Sequence, residues 1–114
     1  MALNYTVLAF FLLLGGIFLL AGLLLYKRPP KEINGLYGYR TRGSMRTPER
    51  WTFAQRYSGR LMLRYGAGML LLGLPAALLP LREEWAILLG TGLLLLASAY
   101  LFVYTERALN ERFD

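Results

Sequence analysis

Residues 85–105 run WAILLGTGLLLLASAYLFVYT, 21 positions without one charged side chain. As a helix, a stretch of that length reaches roughly 30 Å, the thickness of the hydrocarbon core of a bilayer. Two further stretches share the property: residues 1–26, and residues 65–81, which run YGAGMLLLGLPAALLPL. Together the three take up 64 of the 114 residues. The remaining 50 are too few to wrap three such helices in a soluble shell, so a soluble globular domain is excluded. The expected fold is an all-α integral membrane protein, a single membrane domain with three transmembrane helices.

The segments between the spans complete that plan. The first span covers about residues 5–26, with Tyr5 and Tyr26 at its ends, the depth favoured by interfacial aromatics. Pro29 and Pro30 stop it, since proline lacks the N–H that a helix interior needs. It reads as a retained helix rather than a signal peptide: no basic segment precedes it, and no small-residue cleavage site precedes Lys27. Residues 27–47 form a basic loop with turn formers at Asn34-Gly35, Gly38, Gly43 and Ser44. Ile33, Leu36, Tyr37, Tyr39 and Met45 give this loop apolar anchors, so it is expected to be folded rather than a linker.

Thr47-Pro48-Glu49 is a helix start, with a capping hydroxyl, proline at the first position and an acid in the first turn. Residues 48–60 place Trp51, Phe53, Ala54 and Tyr57 among Arg50, Arg56 and Arg60, the pattern of an amphipathic interfacial helix. No breaker stronger than Gly59 separates it from the second span, about residues 61–81, so the two can run on as one. Only Arg82-Glu83-Glu84 precedes the third span, which forces an antiparallel hairpin. Gly73 with Ala77, and Ala86 with Gly90, have the four-residue spacing that lets two helices of a hairpin approach closely. Residues 106–114 are expected as a polar tail.

Charge is as uneven as hydropathy. Lysine and arginine number 13 against 7 acids, and nine of the bases lie within residues 27–60 beside only Glu32 and Glu49. In a loop tied at both ends to membrane spans, the positive-inside rule explains this excess better than direct nucleic-acid binding. The N-terminus is then expected outside, with the loop (residues 27–60) and the C-terminus in the cytoplasm. The same cations are expected to meet the headgroups of anionic membrane lipids. Arg60 and Arg64 lie near enough to the membrane edge to snorkel.

Composition also excludes chemistry. With no cysteine and no histidine there is no disulfide framework, no thiolate nucleophile, no Cys/His metal site and no histidine base. No ionisable residue lies mid-span, which argues against a pump, a proton-coupled transporter or a monomeric ion channel. Any site must therefore lie in residues 32–60. The candidates are Asn34, Tyr37, Gly38, Tyr39, Arg40, Thr41, Ser44, Trp51 and Gln55. Arginine beside Tyr and Ser hydroxyls is a good anion-binding set, because guanidinium offers paired planar donors. The alternative is structural: Arg40 pairs with Glu32 or Glu49, or caps backbone carbonyls. As a catalytic site the loop is poor, its two glutamates being flanked by cations. No catalytic residue, metal or cofactor is expected.

The run Asn34-Gly35-Leu36-Tyr37-Gly38-Tyr39-Arg40-Thr41, then Ser44-Met45, then Trp51, Ala54, Gln55 and Gly59, resembles the SdpI family of small bacterial membrane proteins. The pattern departs from the family's at Arg42, where proline is frequent, and at Gln55, where asparagine is. The resemblance implies a multi-pass protein of the bacterial cytoplasmic membrane. It also implies a role like that of the founding member, which gives immunity to a secreted killing peptide and holds a transcriptional repressor at the membrane. An interaction module is thus expected, its spans meeting a toxin peptide while its basic loop docks a cytoplasmic regulator or anionic lipid. The alternatives are a protein that binds or processes a phosphorylated lipid headgroup through Arg40, and a structural accessory subunit. A three-helix monomer buries little helix surface, which favours a homo-oligomer.

Overall fold

The computed structural model describes residues 3–113. Three helices, α1 (Tyr5–Lys27), α2 (Pro48–Leu78) and α3 (Glu83–Phe113), are each long and apolar enough to cross a membrane. No strand occurs among the described residues. The chain is thus an all-α, three-span membrane protein, elongated at 53 × 23 × 20 Å.

Local chemistry sets each helix end. The Asn4 side chain caps α1 by accepting from Val7 N at 3.2 Å, and Asn4 N donates to Ala77 O at 3.0 Å. The start of α1 is thereby pinned to the far end of α2. Beyond Arg28, whose N–H still donates to Leu24 O, the two prolines end the helix. Thr47 caps α2, its hydroxyl accepting from Arg50 N at 3.1 Å. From there α2 runs unbroken through Gly59, so residues 48–60 and the apolar length that follows form one helix. It stops at Leu78, three residues past Pro75, with Leu79 N closing on Pro75 O.

α3 continues well past Thr105, so the expected tail is helical as far as Phe113, while Asp114 lies outside the described residues. Packing explains the extension. Leu109 is fully buried, Phe113 meets the Phe53 ring edge-on at 5.8 Å, and Arg112 lies 5.0 Å over that ring.

The closest helix approach is between α1 and α2. A Cβ on Gly15 would lie 2.8 Å from Gly66 O, and one on Gly66 would lie 2.8 Å from Gly15 O. One heptad along, a Cβ on Gly22 would lie 2.8 Å from Gly59 O, and one on Gly59 would lie 3.0 Å from Gly22 O. Two reciprocal glycine pairs therefore let the antiparallel backbones touch, the usual way dispersion is gained in lipid.

This corrects the expectation that small residues would join α2 to α3. Gly73 lies against Phe11 of α1, and Gly90 receives the Phe10 and Phe11 rings. Ala77 and Ala86 join Val7, Phe11 and Ala76 in the same cluster. The hairpin's small residues make room for the aromatics of α1, which wedge between α2 and α3.

Large apolar side chains face outward along the spans, among them Leu13, Ile17, Leu20, Leu71, Leu88 and Leu95. Polar side chains gather at the opposite end from the α2–α3 turn, here termed the basic end.

Candidate functional site

At the basic end, residues 28–47 fold back over the start of α2. Gln55, fully buried, holds them in place. Its Oε1 accepts from Tyr39 N at 2.6 Å and its Nε2 donates to Tyr39 O at 2.8 Å, so one amide side chain pairs with a backbone as a neighbouring strand would. Gly38 makes this approach achievable. Its φ is +112°, in the region that favours glycine, and a Cβ there would lie 2.7 Å from Gln55 Oε1. Trp51, also fully buried, donates its indole N–H to Pro30 O at 2.7 Å.

A second knot ties the loop to α3. Tyr39 Oη and Thr41 Oγ1 each donate to Glu106 Oε2 at 2.7 Å. Burial, reinforced by the adjacent Glu106 carboxylate, raises the Tyr39 pKa well above its ordinary value. The phenol therefore keeps its proton and acts as a donor. Gly43 lets the carboxylate come close, since a Cβ there would lie 2.8 Å from Glu106 Oε1 and 3.4 Å from Arg50 Nη2. Arg50, only 4% exposed, donates from Nε to Gly43 O at 2.6 Å and from Nη2 to Asn110 Oδ1 at 3.4 Å. Its guanidinium also lies 5.6 Å from the centre of the Phe113 ring.

Ser44, fully buried, closes the turn at Thr41. Its hydroxyl accepts from Thr41 N at 2.9 Å and lies 3.1 Å from both Tyr39 O and Thr41 O, while Ser44 N donates to Thr41 Oγ1 at 3.1 Å.

Asn34, Tyr37 and Arg40 lie further out. The Asn34 side chain accepts from Leu36 N and Tyr37 N, and donates to Glu32 O, a self-contained Asx turn. Tyr37 Oη donates to Arg28 O at 3.0 Å. Arg40 donates from Nη1 to Gly35 O at 2.6 Å. Of the structural roles open to Arg40, the geometry selects carbonyl capping; among the described residues no ion pair joins it to Glu32 or Glu49.

The structure thus brings Gly38, Tyr39, Thr41, Ser44 and Gln55 into one partly buried network, sets the buried Trp51 beside it on Pro30 O, and leaves Asn34, Tyr37 and Arg40 at its rim. Sequence reasoning missed Glu106, assigned to a tail, and Arg50, assigned to an exposed amphipathic face. It also took Glu32 and Glu49 as the only acids available to the loop, whereas the acid that enters the site is Glu106. A signal did exist. Glu106 and Asn110 are four residues apart, on one face of a helix that continues the third span.

With the polar groups of the loop bonded to one another, what the basic end turns outward is mainly cationic, although Glu32 and Glu49 are exposed as well. Lys27, Arg28, Lys31, Arg42, Arg46, Arg56 and Arg60 are all exposed. One groove of about 530 Å³ is lined by Lys27, Arg28, Pro29, Pro30, Lys31, Thr52 and Arg56. An adjoining groove of about 650 Å³ shares Thr52 and Arg56, and adds Glu49, Phe53, Arg60 and Arg112. Such a surface can hold anions by paired hydrogen bonds and by its field.

Comparison with known proteins bears on the same segment. A family model described as the SdpI/YfhL protein family matches residues 31–105, which takes in the loop, α2 and the apolar length of α3. The uncharacterised protein YfhL of Bacillus subtilis (strain 168) is 42% identical over 100 residues, covering 84% of this chain and 82% of that protein. No solved structure matches.

Proposed function

Because this chain belongs to the SdpI/YfhL protein family, we propose that it is an interaction module of the bacterial cytoplasmic membrane, giving its host immunity to a membrane-active toxin peptide. Its N-terminus and the α2–α3 turn face outward, and the basic end faces the cytoplasm, as the positive-inside rule requires. The spans meet the peptide in the bilayer. The basic end docks anionic lipid or an acidic surface on a cytoplasmic regulator.

One observation carries this reading: the basic end divides into a partly buried, mutually bonded network and an outward shell in which cations outnumber acids. The hydroxyl, amide and carboxylate groups of the network are committed to holding the loop on α2 and α3. That arrangement suits a surface of fixed shape better than a site that must expose a base or nucleophile to substrate.

The test is survival. A strain expressing the chain should outlive its deletion strain under at least one peptide from a panel of secreted membrane-active toxins. Equal survival across the panel would contradict the immunity reading.

A further inference from the structure

The groove where α1 ends differs from the rest of the basic surface. Its lining holds four cations, Lys27, Arg28, Lys31 and Arg56, and no acid. Among the described residues, none of these four side chains has a hydrogen bond or ion pair within the protein. Arg42, Arg46 and Arg60 are likewise without such a partner among the described residues, so what sets this groove apart is its lining: the grooves lined by Arg46 and by Arg60 both include Glu49, and the charged groups of this one are cations alone.

The backbone beneath the cations is held. Arg28 O accepts from the Tyr37 hydroxyl and Pro30 O from the Trp51 indole, while Pro29 and Pro30 restrict the chain between them. Lys27, Arg28 and Lys31 are therefore kept beside Arg56 in spite of their mutual repulsion, and an anion in the groove would relieve it.

The surroundings say which anion. One and two turns before Lys27, on its own face of α1, Leu20, Leu23 and Leu24 are exposed. A ligand with a phosphate at the groove and hydrocarbon along α1 satisfies both surfaces. We propose that this groove binds the phosphate of an anionic phospholipid, with its acyl chains lying along α1. Arg56 supplies paired planar donors and the two lysines supply point charges. The site rests on the reading of the basic end as an anion-docking surface, but not on toxin immunity. The signature residues Tyr37 and Trp51 shape it without touching the lipid.

Native mass spectrometry of the purified full-length chain tests the site, titrating phosphatidylglycerol against phosphatidylcholine in the absence of any toxin. The variant K27Q/K31Q/R56Q is compared with R42Q/R46Q/R107Q, which loses the same charge outside the groove. Each cation removed from the groove should raise the phosphatidylglycerol concentration for half-occupancy about fivefold, roughly a hundredfold for the triple variant. The control should stay within about twofold of the parent, a margin set by screening of distant surface charge. Excess inorganic phosphate should leave the lipid bound.

Equal loss in both triple variants would replace the site with a diffuse field. Displacement by inorganic phosphate would make it a site for the free ion. Lys31→Gln alone, at an exposed position, should show the fivefold step even if the triple variant fails to fold; an unchanged titration would overturn the proposal. Because lipid occupancy is read without toxin, a failed survival assay would leave this result standing, and the reverse.

Discussion

Gln55 and Glu106 decide the shape of the basic end, and neither does so through charge chemistry on a substrate. Gln55 satisfies both the donor and the acceptor of Tyr39's backbone. Gln55→Leu keeps the bulk but leaves a partly buried N–H and C=O unpaired, a loss of about 2–4 kcal/mol. A fall in the thermal unfolding midpoint in detergent would register it, and an unchanged midpoint would count against this pairing. Glu106 is tested by a double-mutant cycle. Tyr39→Phe and Glu106→Gln should couple by about 1–2 kcal/mol, because they share one hydrogen bond. Additive effects would mean that the two groups do not interact.

Among the elements, the α1–α2 seam carries the closest contact. Gly22→Leu would drive a side chain into Gly59 O and the Leu63 backbone, at a cost of about 3 kcal/mol or more. Gly16→Leu, where a Cβ meets nothing within 4 Å, is the matched control and should leave thermal stability near that of the parent protein. The three spans were legible in the sequence because uncharged runs of that length admit few other readings. Thr47 and Pro48 likewise announced the start of α2. The glycine seam was not legible: Gly15, Gly22, Gly59 and Gly66 lie seven apart on two separate helices, and pairing them requires knowing which faces meet. Glu106 was hidden for a similar reason. It follows the last apolar turn of α3, and only the continuation of the helix to Phe113 turns it towards the loop.

For the whole molecule, orientation and loop order are the two properties on which function depends. The absence of native cysteine makes the first directly measurable. With a membrane-impermeant maleimide on intact cells, Leu81→Cys should label at once, and Gly35→Cys only after permeabilisation. The opposite pattern would invert the proposed topology. Loop order comes down to one arrangement: the signature loop is a folded structure, held on α2 by Gln55 and on α3 by Glu106. Hydrogen–deuterium exchange of the purified protein tests it most directly, read on peptides spanning residues 36–46. Slow exchange is expected at the Tyr39 amide and across the Thr41–Ser44 turn, lost on Glu106→Ala while the α1–α2 seam stays protected. Exchange at unstructured-chain rates in the parent protein, or protection indifferent to Glu106→Ala, would contradict it.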